Sequence, residues 1–423
     1  MTTEADGRAE QKTRTGGLLE RTTQSMLRCV LRGLAGMLGL WAVGAVVLRV
    51  AAVPPEQCPP VSQPEALADA RAAAAWIERV QRPDGSYLYE YDIDADREVP
   101  GYNAVRHAGV TMSLYMLAAE GDSSALAAGD KGLAWMEQNL ARYDGWAALK
   151  APSTGSIELG ASALMLAGLA QRRLATADTS FDSLMHEVAR FVLVMQNPDG
   201  SFLLRWLPET GAPDPALRSL YATGEAFWAL TLMRRAFPGE DWERPSRATA
   251  DYLSLHRDTV EQQKFPPWAD QWAAYGLAEM ADWPLNDANI VYARSLAERF
   301  GFLVRVESRR TGSWFSDATR GPQARAAGMG TWSEALDSLW RLASADPRMA
   351  DMRKKLGDRA VCAAGMLHDR QLTAVEAATF ASPAIAEGAW FTDGVTRMDD
   401  QQHALSGLVR AAAIIEERGR ASK

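Results

Sequence analysis

Six segments of this chain begin with an ionisable or amide side chain and continue into Ala-, Gly- and Leu-rich sequence. The starting residues are Arg106 with His107, Glu158, Glu225, Asp270, Glu334, and Asp399 with Asp400, Gln402 and His403. Carboxyl groups that face one pocket push each other's pKa apart, so a general acid and a general base can coexist at one pH. Glu334 is the expected acid, with Asp399 or Asp270 as base. Arg106, His107 and Asn103 suit the hydroxyls or acidic substituents of a substrate. Glu158, Glu225, Gln402 and His403 complete the polar set. Asp399, Gln402 and His403 share one helix face through i, i+3, i+4 spacing. That face could order a water or a network of sugar hydroxyls. No third metal ligand is evident beside it, so neither metal nor cofactor is expected.

A carboxylate at a helix start has a second explanation, because the macrodipole and the free N–H groups favour it there. Thr331-Trp332-Ser333-Glu334 matches the capping-box pattern, and Thr396-Arg397-Met398-Asp399 approximates it. Capping does not call for Arg106, His107 or His403, in a chain with only five histidines. Aromatic residues fall in the same loops: Tyr89, Tyr102, Trp146, Trp206, Trp268 and Trp332 among them. Trp272, Trp314 and Trp390 are the expected stacking surfaces for sugar rings. Apolar walls with a few convergent polar groups are what a ligand pocket needs.

Helices must carry these residues. Apolar positions recur at helical spacing from residue 65 to 420, without sustained strand alternation. The pattern resolves into six helix–loop–helix units. Their first helices lie near 65–81, 123–142, 181–196, 242–264, 286–305 and 348–371. Their second helices start near Arg106, Glu158, Glu225, Asp270, Trp332 and Asp399. A unit recurring about every 45–67 residues is a helical repeat array. Gln81-Arg82-Pro83-Asp84-Gly85-Ser86-Tyr87 recurs as Gln196-Asn197-Pro198-Asp199-Gly200-Ser201-Phe202. Gly312-Ser313-Trp314 and Gly388-Ala389-Trp390 echo them. Tyr87 and Phe202 are expected to pack beneath their turns. The second helices carry more small residues and suit an inner ring; the first, more charged, suit an outer one.

This organisation is similar to the α/α-toroid superfamily, which includes six-hairpin glycosidases, terpenoid cyclases and prenyltransferase β-subunits. The Gln-x-x-Asp-Gly-Ser-aromatic strings resemble the turn motifs of triterpene cyclases. The resemblance implies an all-α fold, an (α/α)6 barrel of six hairpins over residues 65–420, with one pocket ringed by the inner-helix starts.

The N-terminal part reads differently. Residues 33–53 are apolar apart from Arg49, long enough for one membrane span of ~20 residues. Residues 1–32 form a basic tail, with Arg8, Lys12, Arg14, Arg21, Arg28 and Arg32. After Arg49 the next cation is Arg71. The positive-inside rule puts the tail in the cytoplasm and the barrel outside it, in the periplasm or extracellular space. A cleaved signal peptide is the competing reading. Residues 54–64 are Pro-rich and read as a stiff linker. Cys29, Cys58 and Cys362 lack metal-ligand spacing, and no disulfide framework is expected from them.

A net charge of -8 gives nucleic-acid binding no electrostatic support. The expected function is a membrane-anchored, glycoside hydrolase-like enzyme acting on an extracytoplasmic polysaccharide, with lyase or epimerase chemistry also open. The alternative is a non-catalytic glycan-binding or polysaccharide-assembly protein on the same cleft. A terpenoid-cyclase-like enzyme fits less well: Asp92-Ile93-Asp94-Ala95-Asp96 departs from the acidic cyclase motif and lies in a loop.

Overall fold

The computed structural model describes residues 6–49, 55–216, 219–262 and 269–421. The chain divides into two compact units, Met1–Pro55 and Glu56–Lys423.

The first unit is one helix, α1 (Asp6–Val47). Its stretch Met26–Val47 is long and apolar enough to cross a membrane. Side chains such as Leu40 and Trp41 are exposed on it. The apolar stretch starts earlier than residue 33, and Val50–Pro54 lie outside the described residues. Residues 6–32 are helical and continuous with the apolar stretch. Good helix formers (Glu, Gln, Arg, Leu) extend the helix in that direction.

The second unit is an (α/α)6 barrel. Its hairpins pair α2 (Gln63–Val80) with α3 (Ala104–Ala118), α4 (Ser123–Gln138) with α5 (Leu159–Thr176), and α6 (Asp182–Val194) with α7 (Ala222–Ala236). The other three pair α8 (Glu243–Leu255) with α10 (Gln271–Glu279), α11 (Asp287–Glu307) with α13 (Ala326–Ala345), and α14 (Arg353–Arg370) with α17 (Met398–Ala421). Short helices α9 (Arg257–Val260), α12 (Trp314–Arg320), α15 (Ala374–Ala377) and α16 (Pro383–Ala386) lie in the connections. The inner ring closes: α3 packs on α5, α5 on α7, α7 on α10, α10 on α13, α13 on α17, and α17 on α3. Small residues permit that convergence. A Cβ at Gly330 of α13 would lie 2.2 Å from the His403 carbonyl of α17.

The Gln-x-x-Asp-Gly-Ser strings prove to be couplings between neighbouring outer helices. Gln81 ends α2, and its Nε2 donates to the Ala128 carbonyl of α4 at 3.0 Å. Gln196 follows α6 and donates to the Pro245 carbonyl of α8 at 2.9 Å. Gln371 ends α14 and donates to the Asp69 carbonyl of α2 at 3.0 Å, where the circle closes. The accompanying glycines press on the same neighbours. Gly85 and Gly200 have φ of +89° and +86°, and a Cβ on either would come within 2.2 Å of a backbone oxygen of the next outer helix. Tyr87, Phe202 and Trp390 are buried beneath these turns. Gly312-Ser313-Trp314 departs from the pattern: Ser313 caps α12, and Trp314 is 80% exposed.

Strands are short and confined to the connections. β1 (Glu90–Asp92) pairs antiparallel with β2 (Arg97–Glu98) and with β8 (Val395–Arg397), joining the first connection to the last. β3 (Leu140–Tyr143) pairs with β4 (Trp146–Leu149). β5 (Ile157–Glu158), β6 (Arg205–Leu207) and β7 (Ala212–Pro213) form a third antiparallel sheet.

One expectation is overturned. Cys58 and Cys362 form a disulfide, 304 residues apart in sequence. The segment after Pro55 is therefore stapled to the barrel wall. Glu56 adds ion pairs to Arg305 of α11 at 3.2 Å and Arg359 of α14 at 2.9 Å. Closing so long a loop removes much chain entropy from the unfolded state. Cys58→Ser is expected to cost about 2–5 kcal/mol. A thermal melt of the variant beside the oxidised wild type measures it, and the two proteins should melt alike once the wild type is reduced.

Candidate active site

A cavity of about 730 Å³ opens at the N-terminal ends of the inner helices. Asn103, Arg106, Glu158, Glu225, Trp272, Asp399, Gln402 and His403 of the sequence-predicted set line it. Each stands there for a local reason. Asn103 caps α3, its side chain accepting from Arg106 N at 3.0 Å. The first turn of α3 then presents the Arg106 guanidinium, which donates to Asp399 at 3.1 Å and also to the Tyr89 hydroxyl. Arg397, at the end of β8, holds the other side of Asp399 at 3.0 and 3.1 Å. Asp399 is thus clamped between two guanidinium groups on the cavity wall.

Glu158 ends β5 and sits opposite Arg205 of β6, with 3.4 Å between their charged atoms. It makes no capping bond, although it stands at the N-cap position of α5. Glu225, in the first turn of α7, is buried and makes no hydrogen bond to a described residue. Its carboxyl group lies over Gly160 of α5, where a Cβ would come within 2.3 Å of it. Burial, reinforced by the nearby Asp270 carboxylate, pushes the Glu225 carboxyl up to about 8. It therefore carries a proton at neutral pH. In ring order α7 and α17 are opposite, so Glu225 and Asp399 face the cavity from opposite sides.

Two of the expected catalytic carboxylates lie behind the wall. Asp270 is fully buried, bound to Arg257 Nη1 at 2.6 Å, and it caps α10 through Ala273 N at 3.0 Å. There the capping explanation holds. Glu334 is also fully buried and does not line the cavity. It is no cap, because α13 starts at Ala326 and Glu334 lies about two turns into it. Glu334 instead accepts from His403 Nδ1 at 3.1 Å and from the Ser406 hydroxyl. Burial disfavours the His403 imidazolium, but Glu334 outweighs it and holds His403 above its ordinary value. His403 presents its ring to the cavity with Trp272 beside it, ring centres 5.7 Å apart. Trp272 stacks on Trp228 and Tyr275 behind it.

Three other expected binding residues are placed elsewhere. His107 is buried against Trp135, its Nε2 donating to the Gly132 carbonyl at 2.9 Å and its Nδ1 accepting from the Tyr102 hydroxyl at 2.6 Å. Burial pulls it down to about 3, so it is a neutral core residue. Trp390 is buried, its Nε1 bonded to the Leu367 carbonyl at 2.8 Å. Trp314 is exposed away from the cavity lining. Trp268 lies outside the described residues.

Sequence reasoning missed Arg299, Arg325 and Arg397, all on the cavity wall. Arg397 was findable, since it precedes an inner helix. Arg299 was not, because it belongs to the outer helix α11, whose twenty-one residues accompany a nine-residue α10. Among the described residues no group of three or more His, Cys, Asp or Glu could hold a metal ion.

No family profile and no curated protein sequence matches this chain. Solved structures do match. Cellobiose 2-epimerase from Spirochaeta thermophila DSM 6192 aligns with TM-score 0.56 at 12% identity, over 84% of this chain and 97% of that one. A D-mannose isomerase aligns with TM-score 0.55 at 11% identity, over 84% and 97%. An inactive variant of the α-1,6-mannanase GH76A of Salegentibacter sp. HEL1_6, in complex with α-1,6-mannotetrose, aligns with TM-score 0.55 at 12% identity, over 82% and 99%. The closed inner ring and these likenesses together establish that the chain has the fold of the six-hairpin, glycosidase-like α/α toroids.

Proposed function

We propose that this protein is a membrane-tethered enzyme that cleaves a glycosidic bond of an extracytoplasmic polysaccharide. The observation that carries the reading is Glu225, a buried carboxyl group on the cavity wall that makes no hydrogen bond to a described residue and whose proton is held by burial up to about 8. Glycoside hydrolysis needs a carboxylic acid to protonate the leaving oxygen and a second carboxylate beyond the sugar ring. Asp399, across the ring on α17, is the proposed partner. Trp272 offers a face for a sugar ring, and Arg106, Asn103, Glu158 and Gln402 offer hydroxyl contacts. Glu334 acts through His403 as a positioning residue, and Asp270 through its effect on Glu225. Neighbours of the same fold that act on mannans or interconvert sugars support a carbohydrate substrate.

The domain limits follow the same reading: a cytoplasmic tail over 1–32, an anchor over 33–53, a linker over 54–64 and the barrel over 65–420. The Cys58–Cys362 disulfide supports an oxidising compartment for the barrel. The excess of Arg and Lys before the apolar stretch supports a cytoplasmic N-terminus. An alkaline phosphatase fused after Lys423 is expected to be active and a β-galactosidase fused there inactive; the opposite pair of results would reverse the orientation.

A second reading rests on His403. Its Nδ1 is fixed by buried Glu334, and its ring faces the cavity, as a base that moves a proton at a sugar carbon would. One experiment separates the two. The full chain is incubated with polysaccharide and oligosaccharide panels in D2O and the products followed by NMR. New reducing ends without deuterium at carbon support bond cleavage. Deuterium at a sugar carbon without new reducing ends supports epimerisation or isomerisation. Saturable binding with neither change would leave the non-catalytic alternative.

A further inference from the structure

The chain is acidic, yet its cavity is not. Arg106, Arg299, Arg325 and Arg397 all line it, in a protein of net charge -8. Few carboxylates answer them from within. Asp399 is shared by Arg106 and Arg397. Arg325 is spent on Asp400, whose carboxylate also takes the Ala327 N–H at 3.2 Å and ties α13 to α17. Glu158 is answered by Arg205. Glu225 is neutral at pH 7.

Arg299 stands apart. It forms no ion pair with a described carboxylate, and its buried Nε has no hydrogen-bond partner. The Nε2 of Gln402, a buried residue on α17, is likewise without a partner. Both unsatisfied groups are donors. A buried donor left without an acceptor costs free energy that a bound acceptor recovers. Guanidinium groups match planar oxyanions in a bidentate manner and stay charged at any working pH.

We infer that the cavity selects a glycan carrying an anionic group on its sugar ring, with Arg299 as the residue that recognises that anion. The shared chemistry is an oxyanion displayed beside ring hydroxyls, and a uronic acid carboxylate or an ester sulfate would supply it. The inference rests on the glycan reading and narrows it to one substrate class.

Calorimetric titration of the full chain in detergent tests it with three sets of oligosaccharides. These are oligogalacturonates and oligoglucuronates, their carboxyl-reduced counterparts, and ester-sulfated forms of the reduced sugars. At low salt an anionic set is expected to bind about tenfold or more tightly than its neutral counterpart, as a hydrogen bond to a charged group typically provides. Arg299→Gln should erase that preference while keeping binding of the neutral sugars and the helical circular dichroism spectrum. Tight binding of the uronates alone identifies the carboxylate as the anion, and of the sulfated set alone the ester. If neutral sugars bind as well as anionic ones, or if Arg299→Gln keeps the preference, the inference fails while the glycan reading stands. If no set binds, both fall.

Discussion

Glu225→Gln is expected to lower turnover of the glycan by about 10²–10⁴-fold, the usual contribution of a general acid. The same substitution should make the protein more stable at pH 8. The linkage sign decides this. Glu225 keeps its proton up to about 8 in the folded state, against 4.5 for an ordinary glutamate side chain. Between those values the unfolded chain has already released the proton that the native state retains. Stability from this group is therefore fully present below pH 4.5 and lost as pH rises through about 8. Glutamine does not titrate, so the variant escapes the loss. Melting temperatures of wild type and variant should agree near pH 4.5 and diverge toward pH 8, with the variant higher. A residue that merely packed the wall would lower the melting temperature at every pH and leave turnover intact.

Glu334→Gln should behave in the opposite way. It removes a charge from a fully buried cluster with His403 and Ser406, and breaking such a pair typically costs about 3–5 kcal/mol. The penalty is also pH-dependent. Glu334 holds His403 above the ordinary histidine value of 6.5. The stability this pairing contributes is fully present below 6.5 and lost as pH rises through the elevated value. The gap between wild type and Glu334→Gln is expected to be widest in acid and to narrow in alkali. Denaturant unfolding at several pH values measures it, and a gap that does not change with pH would mean that His403 gains no charge from Glu334.

These two glutamates show what the sequence conveys and what it conceals. Six hairpins are legible because apolar spacing and small residues are properties of each helix alone. Inner-ring membership follows as well, since Gly330 and Gly160 must sit where helices meet. Depth along the barrel is another matter. The start of α13 at Ala326, not Trp332, carries Glu334 below the cavity. A shift of six residues keeps the helix and changes the role of the residue. His107 was misplaced for a related reason: its place among Trp135, Tyr102 and Gly132 depends on α4 and the loop before α3, which no local pattern specifies. Arg299 reaches the site from an outer helix, and Cys58 finds Cys362 across most of the chain. Both are facts of tertiary packing. The capping explanation describes Asp270 correctly and fails for Glu158, so helix-start position alone cannot sort the carboxylates.

The pH dependence of kcat/KM on the glycan identified in the D2O assay tests the central claim most directly, because it reports the acid of the free enzyme. The account predicts an alkaline limb with an apparent pKa of about 8, the value at which Glu225 gives up its proton. That limb should be absent from the residual activity of Glu225→Gln. An alkaline limb that persists unchanged in Glu225→Gln, or full activity in that variant, would contradict the assignment of Glu225 as proton donor.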